Sequence, residues 1–131
     1  MIDRAASYNA DPDRILAVTR LDVFGSYLDP EKDRLGDLDL GIEIVRRFDS
    51  DSWTEMSLAY TAKSGRTFNR YTDRLFWPLH ELLRYLKNRS SAIGFTDEDL
   101  ALLTTCHERI YDIRKDPTTI QPPPEATVQR L

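Results

Sequence analysis

The sequence predicts an α/β domain of the α+β kind, a small mixed β-sheet flanked by helices. Three observations carry this. Asp37–Val45 alternates polar and apolar residues over its first eight positions, the period of a half-buried strand. Arg20–Phe24 is a second short strand pattern and stops abruptly at Gly25-Ser26. Between Ser52 and Asn88 the apolar residues recur at helical spacing. With 131 residues, 40% hydrophobic and 31% charged, the chain can bury one core without cross-links. Its single cysteine, Cys106, excludes an intrachain disulfide and reads as a buried helix residue.

Taken in order, Met1–Asp13 is polar and acidic and reads as a poorly ordered or loosely docked lead. Arg14–Val18 is apolar and leaves helix and strand both open. Arg20–Phe24 places Leu21 and Val23 on one strand face. Tyr27–Gly36 is a turn-rich connection containing Asp29-Pro30. In Asp37–Val45, Leu38, Leu40, Ile42 and Ile44 share one face, and Asp37, Asp39, Gly41 and Glu43 share the other.

Ser52 with Glu55 is a capping-box pattern, so a helix is predicted from about Trp53 to Lys63, stopped by Ser64-Gly65. Arg66–Trp77 is amphipathic and basic. Pro78 suits the first turn of a further helix, Pro78–Asn88, with Leu79, Leu82, Leu83 and Leu86 as its stripe. Ser91–Phe95 is predicted as a short strand. Thr96 with Asp99 predicts a helix from Asp97 to about Arg114, ended by Asp116-Pro117. Residues 1–117 read as one domain and 118–131 as an extended, Pro-rich tail.

No apolar run approaches the about 18 residues of a membrane span. The polar start does not resemble a signal peptide, and a cytoplasmic protein with no membrane partner is expected. The net charge of −4 argues against strong sequence-blind nucleic-acid binding. It is unevenly spread. Seven basic against two acidic residues lie between Tyr60 and Phe95, whereas thirteen acidic against seven basic lie between Met1 and Ala59. An acidic part suits cations and a basic part suits phosphate.

Gly25-Ser26 and Asp37-x-Asp39 are the residues on which chemistry can rest. A glycine closing a strand allows a sharp turn or a close approach to a ligand, and the following hydroxyl and N–H can receive phosphate oxygens. Two aspartates two apart on a strand point the same way and can share a hard cation. Such a cation can stabilise both the attacking and the leaving oxygen in phosphoryl-type displacements.

Phe24-Gly25-Ser26, ten residues, then Asp37-Leu38-Asp39-Leu40 resembles the signature of the polymerase-beta-like nucleotidyltransferase superfamily, and its spacing is similar to that of the minimal nucleotidyltransferases. The resemblance covers about Leu21–Val45. It implies the nucleotidyltransferase fold, with nucleotide phosphates on Gly25 and Ser26. It also implies Mg2+, as one or two ions, on Asp37 and Asp39, and a nucleoside triphosphate as substrate. Many minimal members are encoded beside a second small protein in toxin–antitoxin pairs. A cognate toxin or antitoxin, and a protein or RNA acceptor such as tRNA, are therefore the implied partners.

The family's third carboxylate usually stands on a later strand, and Ser91–Phe95 contains no acid. Asp97 follows it and is the candidate third metal ligand. Its place beside Thr96 also fits an acid in the first turn of a helix. Glu43 lies about 20 Å along the strand from Asp37, too far to share an ion. Lys87 and Arg89 are the phosphate-binding candidates among the basic residues. Phe68, Tyr71, Phe76 and Trp77 interleave with those charges and suit core packing or base stacking. A chain without a third acid also fits a catalytically inactive module that acts by binding a partner protein.

Overall fold

The computed structural model describes residues 1–24, 38–48, 51–90, 93–96 and 107–131. Their elements are α1 (Ile2–Ala10), β1 (Leu16–Phe24), β2 (Leu38–Arg46), α2 (Trp53–Lys63), α3 (Tyr71–Lys87), β3 (Ile93–Thr96) and β4 (His107–Asp112). A short 3-10 turn, Ile113–Lys115, follows β4. The sheet order is β3-β2-β1-β4. β1 runs antiparallel to both β2 and β4, and β2 runs parallel to β3. This is the mixed sheet with helices that the patterning predicts.

β1 is longer than its predicted core because the ambiguous Arg14–Val18 stretch joins it from Leu16. One irregularity makes this possible. Val18 pairs with Ile44 and Arg20 with Glu43, so Thr19 is an extra residue in the ladder, a β-bulge. The bulge resets the side-chain alternation. Leu16 and Val18 before it, and Leu21 and Val23 after it, are all buried, while Arg20 and Asp22 stand across from Glu43 and Gly41 on the polar face. The Thr19 hydroxyl lies 2.8 Å from the Glu43 carboxylate and fixes the bulge from β2.

The core lies between this sheet and the helices. It joins Ala5 and Tyr8 of α1, Leu16, Val18, Leu21, Ile42 and Ile44 of the sheet, and Leu79, Leu82 and Leu86 of α3. α2 begins at Trp53 as the capping pattern predicts, though Ser52 makes no side-chain cap bond, and ends before Gly65, whose φ of 74° favours glycine. Its buried Ser57 and Thr61 are small enough to bring α2 close to α3.

Three expectations are corrected. The predicted loose lead contains α1, which buries Ala5, Tyr8 and Asn9 on one face. The Asn9 side chain bonds the backbone of Val18 in both directions, 2.9 Å from its N–H and 2.8 Å from its carbonyl, and so acts as a strand partner where β4 has ended. Pro78 does not begin a helix. α3 runs through it without interruption. Finally, the predicted helix from Asp97 to Arg114 is contradicted at its C-terminal half, where His107–Asp112 is a strand paired with β1. Its apolar residues fit a helical stripe, but pairing with a strand more than 80 residues earlier overrides that local pattern. Residues 97–106, with Cys106, lie outside the described residues.

The tail docks on the sheet. Val128 bridges Val45 antiparallel, with Arg46 N–H on the Thr127 carbonyl and Gln129 N–H on the Ile44 carbonyl, both at 2.8 Å. It thus occupies the β2 edge beyond β3, which pairs only with Leu38–Gly41.

Candidate active site

β1 and β2 form an antiparallel ribbon whose last pair is Val23 with Leu40. β1 leaves the ribbon at Phe24, just before Gly25-Ser26, and β2 enters at Leu38, just after Asp37. The described residues that flank the two halves of the sequence motif, Phe24 and Leu38, therefore lie at the same end of one ribbon. Asp39 stands in register with Gly94 of β3, and Leu40 with Phe95. Gly25, Ser26, Asp37 and Asp97 lie outside the described residues. For Asp39 the backbone position alone is described.

Position 39 shares the parity of Gly41 and Glu43 along β2, so the polar face of the sheet defines its neighbourhood. Asp22 is opposite Gly41, where the missing side chain leaves room. Asp22 is buried, and its carboxylate accepts a hydrogen bond from Arg109 Nε at 3.0 Å, with Arg20 Nε at 4.0 Å. The ladder continues from Arg20 to Glu43 at 3.5 Å and from Arg109 to Asp112 at 3.9 Å. Hydrogen bonds from the Arg114 side chain hold the Asp112 carboxyl below its ordinary range. Glu43 is thus committed to Thr19 and Arg20.

Asp22 shows little signal in the sequence, being one acid between Leu21 and Val23, on the polar parity of its strand. Among the described residues, no three His, Cys, Asp or Glu side chains converge to hold a metal.

The phosphate candidates divide. Lys87, in the last turn of α3, places its ammonium 5.9 Å from the Phe95 ring, and Phe95 pairs with Leu40 at the motif end of β2. Arg89 is exposed in the left-handed turn after α3, where Asn88 and Arg89 have φ of 48° and 69°. The aromatic candidates divide too. Trp77 is buried, Phe68 half-buried, and Tyr71 and Phe76 exposed.

The tail shapes the other end of the polar face. Pro122–Pro124, Ala126 and Val128 roof a cleft of about 350 Å³ over Arg20, Glu43 and Arg109. Gln121 anchors the roof with a 2.7 Å bond to the Ile113 carbonyl.

A second polar cluster lies on the helical side. Arg14 donates to the Glu81 carboxylate at 2.6 Å and to the Tyr60 oxygen at 2.8 Å, and Tyr60 donates to Glu81. Burial, with the bond to Glu81, pushes the Tyr60 hydroxyl up to about 12. Beside it, the buried Arg47 guanidinium donates to the backbone carbonyls of Asn9, Asp11 and Arg14. This cluster ties the α1–β1 connection to α2, α3 and the end of β2, a structural use.

Comparison with protein families, with curated proteins and with solved structures finds no match.

Proposed function

We propose that this chain is a Mg2+-dependent nucleotidyltransferase that moves a nucleoside monophosphate from a nucleoside triphosphate to a hydroxyl of a protein or RNA. The observation that carries the reading is the ribbon end. The strand leading into Gly25-Ser26 and the strand carrying Asp39 pair antiparallel up to Val23 and Leu40. The described flanks of the two motif halves thus stand at one end of the ribbon, which supports the arrangement that the sequence resemblance implies.

In this reading Gly25 and Ser26 receive phosphate oxygens, and Asp37 and Asp39 are the residues that would hold Mg2+. Carboxylate oxygens are the donors that ion prefers. When bound, the ion supplies positive charge against the phosphate oxygens. The acceptor oxygen attacks the α-phosphorus in line, its proton leaves to a carboxylate or water, and the bond to the bridging oxygen breaks to release pyrophosphate. Lys87, beside Phe95 at the same end of the sheet, is placed to meet the departing phosphates.

The setting proposed is the cytoplasm and a toxin–antitoxin pair. Among the described residues no helix is long and apolar enough to cross a membrane. A second reading, an inactive module that acts by binding a partner protein, is favoured by one observation. The described acid nearest to Asp39 across the ribbon, Asp22, is engaged by Arg109 and Arg20.

The test is incubation with labelled ATP, CTP, GTP and UTP, Mg2+ and cell extract, beside the Asp37→Ala/Asp39→Ala variant. Label on a protein or RNA band that the variant loses supports the enzyme. Absence of label with folded wild-type protein favours the second reading, and label that survives the substitution overturns the site assignment.

A further inference from the structure

Trp77 is the most unusual buried residue of the fold. It is 6% exposed, yet it lies outside the main core, on the side of α3 away from Leu79, Leu82 and Leu86. Phe68 packs on it at 5.4 Å between ring centroids. The guanidinium carbons of Arg66 and Arg84 stand over the indole at 4.6 and 5.9 Å. Its indole N–H is buried with no hydrogen-bond partner among the described residues. A large aromatic ring is therefore covered by cations on the outside of a helix, where a solvated face would need none.

This ring forms the floor of an open groove of about 460 Å³, with Phe68, His80, Leu83, Arg84 and Lys87 around it. The groove follows the helix. Positions 73, 77, 80, 84 and 87 are spaced by three and four residues and so form one stripe. From Asp73 to Lys87 the stripe is about 21 Å long at helical rise. Among the described residues, Asp73 is the one acid that lines it, and Glu81 of the same helix pairs with Arg14 and Tyr60 elsewhere. The surrounding stretch, Tyr60–Phe95, carries seven basic and two acidic residues in a chain of net charge −4.

We propose that this groove is a docking surface for an acidic amphipathic helix of a partner protein. Leu83 and Phe68 would meet its aliphatic side chains, and Arg66 and Arg84, which stand over Trp77, its carboxylates. Arginine and tryptophan are the residues that most often anchor protein interfaces, and a groove along a helix suits a second helix. The alternative anionic ligand, a single-stranded nucleic acid, relies on open aromatic faces for stacking. Here the indole is nearly closed, and arginines stand over it. The inference is independent of the nucleotidyltransferase reading, because it uses neither Asp37 nor Asp39.

The test uses intrinsic fluorescence of Trp77 in a Trp53→Phe background, which leaves a single tryptophan. Three probes are titrated: an amphipathic Glu/Leu helical peptide, the same peptide with Lys for Glu, and oligouridylate. The Glu/Leu peptide is expected to give a saturable change, the Lys/Leu peptide none, and Arg66→Glu/Arg84→Glu is expected to weaken binding at least about tenfold. Far-UV circular dichroism checks the fold. Should that double variant unfold, the milder Arg84→Gln carries the test with a smaller loss in the same direction. No saturable change with the Glu/Leu peptide, equal binding by the variant, or tighter binding of oligouridylate overturns the proposal.

Discussion

The Thr61 hydroxyl lies 2.7 Å from the Arg74 carbonyl oxygen, the group that Pro78 leaves without its helical donor. A proline inside a helix removes the bond to the carbonyl four residues earlier. α2 supplies the missing bond from outside, at the point where buried Ser57 and Thr61 bring it against α3. Thr61→Val should therefore cost about 1 kcal/mol, the net worth of one part-buried hydrogen bond. In a Pro78→Ala background, Arg74 regains its own helical donor and the loss should shrink. Urea unfolding of the four proteins measures the coupling, and additive losses would refute the assignment.

Asn9 substitutes for a strand. Its side chain satisfies both the N–H and the carbonyl of Val18 and donates to the Tyr111 hydroxyl at 2.9 Å. Asn9→Ala should destabilise by about 2–4 kcal/mol, since it strands two buried backbone groups together. Amide exchange at Val18 should rise with it. A loss no larger than that of an exposed α1 substitution such as Ser7→Ala would contradict this role.

Alkaline pH should unfold the protein in a defined window. Burial raises the hydroxyls of Tyr60 and Tyr111 from 10.0 to about 12, and that of Tyr8 further. These groups hold their protons more tightly folded than unfolded. Their contribution is thus complete below about pH 10, the unfolded value, and is lost as pH rises through 12. Stability measured by denaturant from pH 8 to 12 should be flat at first and then fall. Tyr60→Phe should reduce the slope of that fall, and an unchanged slope would show that Tyr60 does not contribute.

Asp22 discriminates between an ion-paired and a catalytic acid. It accepts from Arg109 and lies opposite Gly41, so Asp22→Asn should weaken the fold while leaving the proposed nucleotide transfer within about tenfold of wild type, a barrier change of about 1.4 kcal/mol. A loss as deep as that of Asp39→Ala, with the fold intact, would instead make Asp22 the third carboxylate of the site.

The residues that declared themselves in sequence were those whose partners are close by. The β2 alternation, the start of α2 at Trp53 and its stop before Gly65 depend on local pattern and came out as predicted. What stayed hidden depends on distant contacts. Nothing near Pro78 shows that Thr61 will complete its helix. Nothing in His107–Asp112 shows that β1 will claim it as a strand. Asn9 reads as an ordinary polar residue until Val18 and Tyr111 surround it. At the site, the order of Gly25-Ser26 and Asp37-x-Asp39 is legible from spacing, and the structure describes the strands on either side of them, paired up to Val23 and Leu40. The arginines that engage Asp22 could not be read, because Arg109 lies 87 residues away.

Those separations also order the assembly of the fold in time. β1 and β2 meet across one short connection, whereas Arg109 reaches Asp22 from 87 residues away and Gln129 reaches Arg46 from 83. Closing longer loops costs more entropy and slows their contacts. The ribbon therefore forms ahead of the segments that flank it. Until β3, β4 and the tail arrive, its backbone edges are open to strands of other molecules. The sheet that carries Asp39 is thus most vulnerable to aggregation early in folding, and β3, β4 and the tail end that exposure.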